Sequence, residues 1–238
     1  MTNPIPCTAL LFDLDGTLVD SAPDLWRAMN HVLTGRHLPP LPLERVRHLV
    51  GHGARALLAR GLHGEQAEPP QNDPGFESAV AEFLEFYQHH LTDHSRPFPA
   101  VPEVLAHLAS QGYAMAVVTN KPETLSKAML AQLELDRFFP VVVGGETLTT
   151  RKPDPAPLLY ALEQLGVPAH SGVMIGDSET DHQAARQAAL PSILCTHGYN
   201  RGEPVASLAP DRVLDHFNQL PGFLRFTQET RMAPPCLH

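Results

Sequence analysis

Apolar residues are spaced in two ways along this chain, and the change comes near residue 97. Beyond it, short apolar runs alternate with amphipathic stretches. Residues 102–111 set Val104, Leu105 and Leu108 on one side of a helix. The continuous apolar run 113–118 predicts a buried strand. Residues 122–135 predict a helix with Pro122 near its first turn, where the missing N–H costs little. Val141, Val142 and Val143 form a short β-branched strand ended by Gly144 and Gly145. A helix over 155–165 stops at Gly166, and a strand over 172–175 leads into a helix over 178–189. Short strands are expected over 192–195 and 212–214. Strands alternating with helices predict an α/β fold, a parallel sheet with helices on both faces.

The first strand, near residues 8–12, is not followed by such a unit. From 20 to 96 the pattern is helical, with amphipathic segments at 22–33, 43–62 and 75–91. The second is interrupted at Gly51-His52-Gly53, and 65–74 is a polar, Pro-rich loop. This stretch predicts an inserted all-helical cap over the mouth of the sheet. The expected organisation is a core from 1–19 and 97–222, a cap from 20–96, and a loosely held C-terminal tail from 223–238.

Composition narrows the function. The chain has 238 residues, 43% of them hydrophobic, enough for a well-filled core. A formal net charge of −9 argues against a broad surface for nucleic acid or anionic membrane. An anionic substrate is still compatible, because a few local cations and one metal reverse the sign inside a site. Cys7, Cys195 and Cys236 lack metal or redox spacing and read as free thiols of a reducing compartment, the first two buried. No apolar stretch reaches the roughly 18 residues of a membrane helix, and no secretory leader pattern is seen, so a cytoplasmic location is expected.

The run Ala9-Leu10-Leu11-Phe12 ends in Asp13-Leu14-Asp15-Gly16-Thr17. Side chains two apart in a strand share a face, so Asp13 and Asp15 are expected to look into one site. Two carboxylates that close need a cation between them, or one proton. The setting suits Mg²⁺, which takes one or two carboxylates together with phosphate and water. Gly16 lets backbone approach a ligand closely. Ligands of an open parallel sheet bind at the carboxyl ends of its strands, and three further ends carry polar groups. These are Thr119-Asn120, then Lys152 in the loop after the third strand, then Asp177-Ser178 with Asp181 one turn into a helix. A hydroxyl and helix-start amides suit phosphate oxygens. Lys152 supplies positive charge. Asp177 completes an oxygen-rich metal site with Asp13, and Asp181 holds a metal-bound water or orients Lys152. Singly, each is an ordinary helix cap or a solvated loop residue; together, at successive strand ends, they describe a phosphoryl site. The 14 histidines include His48, His52, His89, His90 and His94, but none falls in a metal-ligand arrangement.

These motifs and their order resemble the haloacid dehalogenase superfamily of phosphohydrolases. The residues are Phe12-Asp13-Leu14-Asp15-Gly16-Thr17-Leu18, Val118-Thr119-Asn120, Lys152-Pro153 and Gly176-Asp177-Ser178-Glu179-Thr180-Asp181, and the resemblance covers almost the whole chain. Within the superfamily the chain is most similar to the bacterial phosphoglycolate phosphatases, on Leu18 to Asp24, Val50 to Ala54, Thr119 to Pro122, Gly144-Gly145-Glu146 and Gly198-Tyr199-Asn200. The resemblance implies a Rossmann-like three-layer core with strand order 5-4-1-2-3. It implies that Asp13 is the nucleophile, forming an aspartyl-phosphate, and that Asp15 is the general acid and then the base. Mg²⁺ is implied at Asp13, Asp177 and the Asp15 carbonyl. Phosphate is implied at Gly16, Thr119, Asn120 and Lys152, with Ser178 and Asp181 behind. His52, Arg55 and Arg47 are the cap candidates for reading the carboxylate of 2-phosphoglycolate. Ala189 and Ala100 stand where relatives usually carry glycine, which puts the local backbone in question. The implied partner is a small phosphomonoester, and the implied assembly a monomer or homodimer. Alternatives are a sugar phosphate such as N-acetylmuramate 6-phosphate, a nucleotide or pyrophosphate as substrate, or a phosphomutase. A phosphorylated receiver module shares the strand-end Asp, Thr and Lys, but the large insert and two acids on one strand argue against it.

Overall fold

Side-chain alternation across the strands decides the architecture. The structure, a computed structural model, describes residues 3–228. Strands β1 (Ile5–Cys7), β2 (Ala9–Phe12) and β3 (Val19–Asp20) are followed by four helices, α1 (Ala22–Gly35), α2 (Leu43–Leu49), α3 (Ala54–His63) and α4 (Pro74–His89). The chain returns through β4 (Arg96–Pro97) to α5 (Val101–Ser110), β5 (Ala114–Val118), α6 (Glu123–Gln132), β6 (Val141–Val143), α7 (Ala156–Gln164) and β7 (Gly172–Gly176). It ends in α8 (Glu179–Gln187), β8 (Ser192–Cys195), β9 (Arg212–Leu214), α9 (Leu220–Phe223) and β10 (Leu224–Phe226).

Six strands form one parallel sheet in the order β6-β5-β2-β7-β8-β9. Leu10, Phe12, Met115, Val117, Val173 and Ile175 enter one apolar cluster with Leu105, Leu108 and Met129 of α5 and α6. Ala9, Leu11, Ala116, Val118 and Met174 enter another with Leu158, Leu162, Ala184 and Ala185 of α7 and α8. The period of two thus builds a three-layer α/β/α core. The first cluster continues through Met29, Leu58 and Phe83, so the inserted helices share their apolar interior with the core.

The two ends of the insert are held together by β3 and β4, antiparallel with Val19 opposite Pro97 and Asp20 opposite Arg96. Beside them, Asp24 is fully buried and accepts from the His94 and Ser95 backbone N–H groups and the Ser95 hydroxyl at 2.7–2.9 Å. A buried carboxylate needs such partners, and these fix where the insert starts. Between α2 and α3 the helical path breaks because Gly51 (φ 118°) and Gly53 (φ 85°) adopt a conformation no helix contains.

Two expectations change. The C-terminal segment does not loosen at residue 223: Leu224–Phe226 pairs in parallel with Ile5–Cys7, Leu224 is buried, and Phe226 meets Tyr113 edge-on with centroids 5.2 Å apart. Residues 229–238, with Cys236, lie outside the described residues. Ala100 (φ 67°) and Ala189 (φ 55°) take the left-handed conformation that glycine would favour, so the backbone is kept and the alanines carry its strain. Cys7 and Cys195 are buried free thiols, as expected. Among the described residues no helix is long and apolar enough to cross a membrane.

Candidate active site

Strand β2 lies between β5 and β7, so the chain switches direction across the sheet at its carboxyl end, where ligands of such folds bind. The ladder hydrogen bonds run on past the strand tips. Asp13 N–H donates to the Ile175 carbonyl at 2.9 Å, and Thr119 N–H to the Val143 carbonyl at 2.9 Å. The first residues beyond β2 and β5 are therefore held as rigidly as the strands. Asp13 Oδ1 accepts from Leu14 N–H at 2.7 Å and pairs with Lys152 Nζ at 3.0 Å. Lys152 is buried, and the same ammonium donates to Asp181 Oδ1 at 2.6 Å. Asp181 Oδ2 accepts from the N–H groups of Asp177 and Ser178, each at 3.2 Å, and from the Ser178 hydroxyl at 2.7 Å. Asp177 accepts from the Thr17 hydroxyl at 3.0 Å and from Tyr199 N–H at 2.6 Å.

Carboxylate oxygens of Asp13, Asp177 and Asp181 lie within 4.8 Å of one another, all three residues buried. Burial pushes the Asp13 carboxyl up to about 6; Lys152 opposes the rise, while Asp181 and Asp15 add to it. Asp177 is held well above the usual carboxylate range, first by burial and then by Asp181 and Asp13. Burial alone would depress Lys152, but Asp13 and Asp181 outweigh it and hold the ammonium protonated. Three buried carboxylates thus face one ammonium. The donors are hard oxygens, and the missing charge is positive, which fits a hard divalent cation such as Mg²⁺. Asp13 and Asp177 could hold it, since Asp181 is already committed to Lys152 and to four hydrogen-bond donors in all.

Three glycines let this cluster close. A Cβ on Gly16 (φ 90°) would overlap the Asp177 carboxylate, one on Gly176 the Asp181 side chain, and one on Gly198 the Asp177 side chain. Gly16 is legible from its place in the first motif. The roles of Gly176 and Gly198 follow only from the packing.

A narrow cleft opens beside Asp13 between the core and the insert. Asp15 and Thr119 also line it, so the pair Asp13 and Asp15 does face one site. Their charges are met separately, however: the Asp15 carboxylate pairs with Lys121 Nζ, at 3.1 and 3.3 Å, and Asp13 with Lys152. The Asn120 side chain departs from its expected role on phosphate. Its Nδ2 donates to the carbonyls of Gly51 (3.1 Å) and Lys152 (2.9 Å), so the amide nitrogen joins two loops instead of pointing at a ligand, while the buried Oδ1 is without a partner among the described residues.

The three cap candidates also fall elsewhere, since none lines the cleft. Arg55 is held by Glu77 on the outer surface, at 2.6 and 2.7 Å. Arg47 pairs with Asp20 at 3.0 Å and lies over the Tyr199 ring. His52 accepts from Arg201 Nη2 at 2.5 Å, and burial followed by Arg60, Arg201 and Arg151 lowers its pKa to about 4. Both arginines are ion-paired with nearby acids, which spacing along a helix cannot reveal. The cation that does reach the cleft is Lys121, and its only sequence signal is its position directly after Thr119-Asn120.

The sequence profile of the haloacid dehalogenase-like hydrolase family matches residues 10–195. The chain is 41% identical over 213 residues to the phosphoglycolate phosphatase of Pseudomonas putida, spanning 89% of this chain and 77% of that one. It is 42% identical over 212 residues to the phosphoglycolate phosphatase of Colwellia psychrerythraea, spanning 89% and 94%. A crystal structure described as a predicted phosphoglycolate phosphatase from Haemophilus somnus matches with a TM-score of 0.84 at 35% identity, over 91% of this chain and 97% of that one.

Proposed function

We propose that this chain, which belongs to the haloacid dehalogenase-like hydrolases and is a phosphatase of that family, hydrolyses 2-phosphoglycolate to glycolate and phosphate. The observation that carries the chemistry is Lys152 bridging Asp13 and Asp181, with Asp177 in the same cluster, at the switch point of the sheet. The relatives' names support the substrate.

In this reading an Asp13 carboxylate oxygen attacks phosphorus, and the ester P–O bond breaks as the aspartyl-phosphate forms. Asp15 gives its proton to the departing alkoxide. It then takes a proton from the water that attacks the aspartyl-phosphate, which releases phosphate and restores Asp13. Lys152 stays beside the transferring group through both steps, and the Thr119 hydroxyl and Asn120 N–H donate to its oxygens. Asp13, Asp177 and the Asp15 carbonyl would hold Mg²⁺, which would supply positive charge against the anions gathered there. Leu25, Val50, Leu57, Phe83 and Leu84 wall the cleft with apolar surface and keep water from the intermediate.

Phosphate release is measured from 2-phosphoglycolate beside N-acetylmuramate 6-phosphate, a nucleoside monophosphate and pyrophosphate, with Mg²⁺ and with chelator. The expected result is the highest kcat/KM on 2-phosphoglycolate and loss of turnover on chelation. A higher kcat/KM on another ester, or an isomerised sugar phosphate in place of free phosphate, would reject the reading.

A further inference from the structure

We propose that Lys121 receives the carboxylate of the leaving group, in a subsite it forms with Tyr87 of α4. The inference rests on the phosphoglycolate reading, which leaves one charge unanswered. In 2-phosphoglycolate a single methylene separates the carboxylate from the ester oxygen. Whatever binds the carboxylate must therefore lie next to whatever protonates that oxygen. Lys121 Nζ is 3.1 Å from Asp15 Oδ1. Among the described residues lining the cleft it is the one cation, and most of the surrounding wall is apolar. An anionic leaving group entering there has one place to put its charge.

The ammonium is set up for this. Its side chain is 3% exposed, so little water competes for it. Its three N–H bonds meet two partner groups, Asp15 and the Tyr87 hydroxyl at 2.5 Å. It also stands 4.4 Å from the centroid of the Tyr87 ring. Lys121 belongs to the core and Tyr87 to the insert, so the subsite is complete only where the two meet. Two further cap cations, Arg47 and Arg55, are ion-paired with Asp20 and Glu77 and do not line the cleft.

The test compares kcat/KM for 2-phosphoglycolate with that for 2-hydroxyethyl phosphate, which has the same length without the carboxylate. In Lys121→Met the ratio of the two is expected to fall about 10- to 100-fold, the value of a charge-assisted hydrogen bond. Lys121→Arg should recover part of that ratio. If Lys121 serves only as a partner of Asp15, both alkyl esters slow equally and p-nitrophenyl phosphate, whose leaving group needs no proton, is spared; that outcome overturns the proposal. Should Lys121→Met fail to fold by circular dichroism, Tyr87→Phe replaces it. It is expected to raise KM several-fold for 2-phosphoglycolate and less for 2-hydroxyethyl phosphate, and equal changes refute the subsite. A wild-type enzyme that does not prefer 2-phosphoglycolate rejects the substrate reading itself, before any variant is made. A wild-type preference that survives in the variants rejects only Lys121.

Discussion

Gly198→Ala is the smallest change that reaches the acid cluster without touching an acid. Gly198 needs no special backbone angle; what it lacks is space. An added Cβ would stand 2.5 Å from Asp177 Cγ, about 1 Å inside ordinary van der Waals contact. Asp177 cannot simply swing away, because Thr17 and Tyr199 N–H hold its two oxygens and its backbone N–H is bonded to Asp181. The overlap must therefore move either the Asp177 carboxylate or the 198–199 backbone that bonds it. A misplacement of about 1 Å in a catalytic constellation costs on the order of 100-fold in rate. Overpacking a filled site costs about 1–3 kcal/mol, which for a chain of this size lowers Tm by roughly 2–10 °C. Steady-state kinetics on 2-phosphoglycolate and a calorimetric scan measure both. Gly222→Ala is the control: no atom lies within 4 Å of its added Cβ, and both readings should stay at wild-type values. Wild-type kcat/KM in Gly198→Ala would falsify the idea that the position of Asp177 limits the reaction.

Three more outcomes are expected. Asp13→Asn should lose at least about 10⁴-fold in turnover, yet melt no lower than wild type, because it removes one of three crowded buried carboxylates; a low Tm would show that Asp13 is held for stability. His52 is pushed down to about 4, mainly by burial, so the unfolded chain binds the extra proton as pH falls from about 6.5 to about 4 and stability drops across that window. Since His52 is partly exposed, the loss is taken as about 1–2 kcal/mol. Urea unfolding of His52→Gln should lack this increment, and an unchanged pH profile rejects it. Ala189→Gly should stabilise by about 0.5–1 kcal/mol, relieving left-handed strain less the added freedom of the unfolded chain. Ala188→Gly, one residue earlier at φ −80°, should destabilise instead, and like signs for the two would contradict the left-handed turn.

Much of the site is legible in the chain because its parts sit at strand ends. Asp13, Thr119 and Asp177 each follow an apolar run directly, and a parallel sheet brings such positions to one edge. The break at Gly51 and Gly53 is equally local. What neighbouring spacing cannot encode is the choice among partners far apart in sequence. Arg55 and Lys121 are both basic residues beside promising motifs; only the folded chain puts one against Glu77 outside and the other against Asp15 and Tyr87 within. The Asn120 amide is likewise claimed by a carbonyl 69 residues away.

Periodicities of two and 3.6 residues, with apolar runs ending in acids, were sufficient by themselves to specify a layered α/β core, a run of helices after its first core strand and polar groups at the strand ends, because each depends on a residue and its near neighbours. The parallel pairing of Ile5–Cys7 with Leu224–Phe226, the alanines held in a left-handed turn, and the division of charge between Lys152 and Lys121 were decided by the tertiary structure alone. They depend on distances between separate segments, and electrostatic and packing energies are set by those distances rather than by order along the chain.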